Sequence, residues 1–87
     1  FQNELVLSVF NHFLIENKID FKSLERVSQS ATIDNLLKQN SQVKQFYLGL
    51  ICAFFSLEEF EFYTQNKKEI NKRIISLLIE RISSQVL

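Results

Sequence analysis

Residues 46–55, FYLGLICAFF, are the stretch that decides how this chain folds. Nine of the ten residues are apolar, none is charged, and the exception, Gly49, is the only glycine in 87 residues. The chain contains no proline. Tight β-turns and phosphate-binding loops depend on glycine and proline, so this composition does not suit all-β or α/β folds. The sequence predicts an all-α domain.

The length of this apolar stretch limits what it can be. Its uncharged run covers residues 45–57, and acidic residues follow at Glu58, Glu59 and Glu61. A membrane-spanning helix needs about 20 apolar residues, so we expect no membrane span. A helix over about residues 41–56, apolar nearly all round, is instead expected at the centre of a helical bundle.

The segments before this stretch predict three shorter or amphipathic helices. Apolar residues at 3.6-residue spacing indicate a first helix over residues 2–17. Asp20 is the expected N-cap of a short second helix, and the polar stretch SQSAT, residues 28–32, is expected to break the chain before Thr32 caps a third. The inward side of the second helix is predicted to consist of Phe21, Leu24 and Val27.

The segments after it contain two helix-start signals. Ser56 and Glu59 have capping-box spacing, which favours a bend at Ser56, although an unbroken helix over residues 41–65 is the alternative. Asn66 with Glu69 is a second signal of the capping-box type, and it is expected to start a long C-terminal helix over residues 67–86. The chain is thus expected to form a small bundle of about five or six helices, a single domain over residues 1–87 excised from a larger protein.

Composition narrows the function classes. Ten basic residues balance ten acidic ones, which argues against direct contact with nucleic acid. One cysteine and one histidine cannot form a disulfide or a four-ligand zinc site, so we expect no metal and no cofactor. The low cysteine content favours a cytoplasmic location.

Two groups of side chains could carry chemistry. His12 with Cys52 would form a nucleophile and base if they met, and Glu58, Glu59 and Glu61 form a carboxylate cluster. A cysteine in the most apolar segment is expected to be buried and inert, and acids in the first turn of a helix suit its dipole. We therefore predict that the protein is not an enzyme.

The C-terminal helix carries the candidate binding residues. Its apolar residues form two adjoining stripes, one of which is Ile70, Ile74, Leu77 and Leu78. The other stripe is predicted to face outwards and to bind another protein or a second copy of the chain; it consists of Ile75, Ile79, Ile82 and Val86. The same helix holds a candidate basic patch of Lys67, Lys68, Lys72 and Arg73.

The sequence therefore favours a non-catalytic interaction or assembly module that docks through helix faces. The alternative is a bundle that holds an apolar ligand such as an acyl chain. A cavity lined by the bundle's phenylalanines would favour that alternative; those residues are Phe10, Phe13, Phe46, Phe54 and Phe55.

Residues 10–27, FNHFLIENKIDFKSLERV, carry a resemblance to a known family. A helix, a short polar break with an acid and a short helix, followed later by a long C-terminal helix, resemble the helicase-binding domains at the C-terminus of bacterial primases. The resemblance is one of layout, covers about half of the chain and includes no diagnostic residue. It implies a helicase-binding role in replication as a further alternative.

Overall fold

The computed structural model describes residues 3–87. Over this range there are five α-helices and one 3₁₀ turn, and no strand. The elements are α1 (Asn3–Glu16), the 3₁₀ turn (Phe21–Ser23), α2 (Arg26–Lys38), α3 (Ser41–Cys52), α4 (Leu57–Gln65) and α5 (Lys67–Val86). The prediction of a small all-α bundle is confirmed. The predicted start of the first helix at residue 2 lies outside the described residues.

Helix α5 occupies the centre of the bundle, since it contacts each of the other four α-helices. The main core is built by α1, α2, α3 and the second half of α5. Helix α4 contributes nothing to this core; its one buried residue is Tyr63. We call residues 57–73, which comprise α4 and the start of α5, the arm. The molecule is elongated, with extents of 44 × 22 × 21 Å.

Helix α1 ends in a Schellman motif. The amide of Ile19 donates to the carbonyl of Leu14 at 2.9 Å, and the amide of Lys18 donates to the carbonyl of Ile15 at 3.0 Å. Lys18 adopts a φ of 56°, the left-handed conformation that this motif requires. The turn directs Ile19 back onto the core, which fixes the path of the chain towards α2.

Helix α2 differs from its prediction, because SQSAT does not break the chain. Residues 28–32 lie inside the helix, and the hydroxyl of Thr32 donates to the carbonyl of Ser28 at 2.8 Å instead of capping a new helix. Serine and threonine can bond to the preceding turn in this way, so a polar segment can stay helical. Asp20 makes no side-chain cap, and Val27, expected to face inwards, is 80% exposed.

Helix α3 buries one face only. Its N-cap is Asn40, which accepts a hydrogen bond from the amide of Val43, and its buried residues are Val43, Tyr47 and Leu48. Phe46 is half exposed and Phe54, beyond the end of the helix at Cys52, is 69% exposed. The expectation that all of residues 46–55 lie at the centre of the core is therefore wrong. Helices α2 and α5 both pack against α3, and they cover the face that carries its buried residues.

The predicted bend at Ser56 is confirmed. The hydroxyl of Ser56 accepts from the amide of Glu59 at 3.2 Å, and a carboxylate oxygen of Glu59 accepts from the amide of Ser56 at 2.9 Å. This complete capping box satisfies two otherwise unpaired donors and starts α4. Among the described residues, no helix is long and apolar enough to cross a membrane.

Candidate docking groove

The stripe predicted to bind a partner faces the interior of the bundle. Ile75 is 4% exposed and Ile82 is fully buried in the main core. Ile79 and Val86 are half-buried and pack against the same core. The expectation of an outer stripe is therefore wrong, because these residues meet the domain's own helices.

The adjoining stripe of α5 is the one that is partly exposed and could contact a partner. Leu78 is buried, whereas Ile70 and Ile74 are half-buried and Leu77 is 59% exposed. Ile70, Ile74 and Leu77 are spaced i, i+4 and i+7, which places them along one face of the helix. We call these three residues the groove row.

The C-terminal part of this row lies in a concave surface between α1, α3 and α5. The cavity has a volume of about 490 Å³. Val6 and Leu78 are its most buried lining residues, and Ile51, Ile74 and Leu77 are also apolar. Its polar lining consists of Asn3, Glu80, Arg81 and Ser84, and a guanidinium nitrogen of Arg81 donates to the side-chain oxygen of Asn3 at 3.3 Å.

The N-terminal end of the row lies in a second concavity, on the arm. This cavity of about 310 Å³ is enclosed by α4, the start of α5 and the residue before the bend. Ile70 forms its α5 side, and the other lining residues are Phe55, Glu58, Glu59, Phe62 and Tyr63. Ile70 lines the second concavity and Ile74, one helical turn later, lines the first, so the groove row joins the two along α5. We call the two concavities and this row together the groove.

The α4 side of the groove is acidic. Glu58 and Glu59 line the arm cavity, and no basic side chain does. Two hydrogen bonds from Ser56 lower the pKa of Glu59 below its ordinary value of 4.5. The bond from the backbone of Ser56 has the larger effect, and the bond from its side chain has the smaller one. Among the described residues, no acid of α4 lies within ion-pair distance of a base. The groove therefore has one flank of unpaired negative charge.

The four residues of the candidate basic patch do not all share one face of α5. Lys67, Lys68, Lys72 and Arg73 are all exposed. Lys68 and Lys72 share a face of α5 at i, i+4 spacing, but Arg73 lies about 100° further round the helix. Arg73 is one turn before Leu77, at the edge of the groove row opposite α4. It lines neither cavity.

His12 and Cys52 have separate neighbours. His12 is exposed on α1, where its Nε2 lies 3.3 Å from a carboxylate oxygen of Glu16. Cys52 is half-buried at the end of α3, so the expectation of a fully buried cysteine is wrong. Burial raises the pKa of the Tyr63 hydroxyl, and the nearby Cys52 thiol acts in the same direction. The hydroxyl donates a hydrogen bond to the side-chain oxygen of Asn71.

The phenylalanines do not gather around one cavity. Phe10 and Phe13 are buried and pack edge-to-face against Phe21 and Phe46 respectively. Of the five residues expected to line a ligand cavity, only Phe55 borders either concavity. These aromatic rings therefore mostly fill the core or lie at the surface.

Within residues 3–87, no group of three or more histidine, cysteine, aspartate or glutamate side chains is arranged to hold a metal ion. No protein-family model matches the chain, and comparisons with curated proteins and with solved structures find no match either.

Part of the groove was present in the sequence pattern. The groove row belongs to the second apolar stripe of the C-terminal helix, and the acids of α4 are evident in the sequence. Phe62 carried no signal of its own, because its place depends on how α4 packs against α5. The sequence also did not predict that Val6 and Ile51 line the groove, because they are distant in the chain from Leu77 and meet it only in the folded structure.

Proposed function

We propose that this domain is a non-catalytic interaction module that binds an amphipathic helix of another protein in the groove along α5. The observation that carries the proposal is the groove row, an apolar face at helical spacing that lies in two concavities. Helix-in-groove recognition uses such a face, with partner anchors at i, i+4 and i+7.

The size of the groove suits a short helix. From Ile70 to Ser84, the last residue of α5 that lines it, there are fourteen steps, about 21 Å at 1.5 Å per residue. A partner helix of about four turns would cover this length. Leu77, Ile74 and Phe62 supply apolar surface for its anchors, and the polar residues at the α1 end supply a rim.

The proposal is tested with a designed helical peptide of about 16 residues, with leucines at i, i+4, i+7 and i+11 and a fluorophore for polarisation. We expect Leu77→Lys to weaken peptide binding at least about tenfold, because it places a charge among the anchors. The matched control is Ile15→Lys on α1, an exposed aliphatic residue that lines neither concavity.

Circular dichroism and thermal melting of both variants check that the fold is retained. Equal binding by the wild type and Leu77→Lys, or no binding by the wild type, would contradict the proposal. Sedimentation of the wild type alone tests the competing occupant. A dimer that Leu77→Lys dissociates would show that a second copy fills the groove.

A further inference from the structure

We infer that the helix bound in this groove is basic on the flank that meets α4; the inference rests on the proposed function. The charges around the groove are asymmetric. The α4 side presents Glu58 and Glu59, and residues 45–66 contain no lysine or arginine. At the opposite end of the groove, Glu80 lies beside Arg81, so neither sign dominates there.

Glu59 accepts a capping-box hydrogen bond from the amide of Ser56, but this bond brings no positively charged side chain to Glu59 or Glu58. No base lies within ion-pair distance of either one among the described residues. Two bases of α5 lie one turn from the groove row, Lys67 before Ile70 and Arg73 before Leu77, but neither lines either cavity. A helix whose apolar face covers Ile70 and Phe62 would bring its flanking residues next to Glu58.

Electrostatics then favours one partner chemistry over another. A lysine or arginine against the α4 side gains attraction from two carboxylates, whereas an acidic residue there meets two like charges. Because these carboxylates are exposed, each contact is modest and weakened by salt. The expected signature is therefore a salt-dependent preference and not an absolute requirement.

Helix α4 offers a matched pair of variants. Glu58 lines the arm cavity, whereas Glu61 is an exposed acid of the same helix that does not. Residues 61 and 63 are about 200° apart around the helix, so Glu61 faces away from the side on which Tyr63 meets α5. Replacing either acid with lysine changes the net charge equally, but only Glu58→Lys changes the charge at the groove. Glu59 is avoided because it forms the capping box.

The experiment compares two versions of the designed peptide, one with lysines and one with glutamates beside the leucine face at one end. We expect the lysine peptide to bind about threefold to tenfold tighter at low salt, and the difference to shrink as salt is raised. Glu58→Lys should remove most of this preference, and Glu61→Lys should leave it nearly unchanged.

The outcomes separate this inference from the proposed function. Equal affinities for the two peptides, with binding of both lost in Leu77→Lys, would overturn the basic partner while the groove stands. Equal effects of Glu58→Lys and Glu61→Lys would also overturn it, because they would reduce the preference to net charge. No binding of either peptide by the wild type would overturn the groove and the basic partner together.

Discussion

The core and the arm of this domain are stabilised by different means. In the core, side chains from α1, α2, α3 and the second half of α5 are buried against one another across long stretches of sequence. In the arm, α4 buries a single residue, Tyr63, and is started by a capping box between residues three apart. The core therefore depends on long-range packing, whereas the arm depends mainly on local hydrogen bonds. The groove row lies where the two regions meet.

The largest expected difference in stability between the two regions comes from truncating one apolar side chain in each to alanine. Ile82 is fully buried, so Ile82→Ala should cost about 2–5 kcal/mol in the free energy of unfolding. Phe62 on the arm is 61% exposed, and Phe62→Ala should cost less than about 1 kcal/mol. Urea unfolding of both variants measures the difference.

The comparison of core and arm would fail if the two alanine variants unfolded at similar urea concentrations. That result would mean that α4 is packed as firmly as the core. A domain of this length is stable by only about 4–13 kcal/mol, so Ile82→Ala is paired with the milder Ile82→Val, expected to cost about 1 kcal/mol.

The same contrast explains what the sequence could predict. The start of α4 after Ser56 was predictable because a capping box acts over a few residues. The bounds of α5 were predictable from helical periodicity, although the cap expected at Asn66 does not form. The sequence did not predict which of the two apolar stripes of α5 faces the core. Periodicity shows that Ile75 and Ile82 share a face, but it does not show which face the other helices cover.

The error at α2 has a similar cause. Serine and threonine favour helix starts, yet Thr32 stays inside the helix with its hydroxyl bonded to the preceding turn. Burial of Ile33, Leu36 and Leu37 against the rest of the core stabilises this longer helix. Tertiary packing therefore overrides a local signal here, and the groove, which needs α1, α3 and α5 together, could be predicted only in part.

A second prediction tests the polar anchor of the core. The buried hydroxyl of Tyr47 donates to the carbonyl of Val6 at 2.8 Å and so joins α3 to α1. Tyr47→Phe removes this hydrogen bond and should cost about 1 kcal/mol near neutral pH. Burial also raises the pKa of Tyr47 well above its ordinary value of 10.0.

This pKa shift predicts loss of stability in alkali. The unfolded chain releases the Tyr47 proton near pH 10 but the folded chain does not, so stability is complete below that pH and falls as the pH rises above it. The slope contributed by one such tyrosine approaches about 1.4 kcal/mol per pH unit. Urea unfolding between neutral and strongly alkaline pH should show a shallower decline for Tyr47→Phe. Parallel declines would rule out Tyr47 as the source and leave Tyr63, whose pKa is also raised.

The smallest expected effect on global stability is at the start of the arm. Ser56→Ala removes the side-chain half of the capping box, which is worth about 1 kcal/mol to α4. Because α4 adds nothing to the main core, this loss should appear as local opening of the arm more than as global unfolding. Amide hydrogen exchange should accelerate in α4 and stay unchanged in α1 and α3. Ser30→Ala, an exposed serine within α2, is the control.

The carboxylate of Glu59 reports the same interaction. Hydrogen bonds from Ser56 lower its pKa, so their contribution to the arm is present above the ordinary value of 4.5 and is lost as the pH falls through the lowered pKa. In Ser56→Ala the backbone amide still donates, and the pKa of Glu59 should rise only part of the way towards 4.5. Nuclear magnetic resonance titration of the side chain measures this shift. If the pKa did not move and exchange in α4 did not change, packing would be what stabilises the start of the arm. The arm and the core would then be stabilised by the same means, contrary to the comparison drawn above.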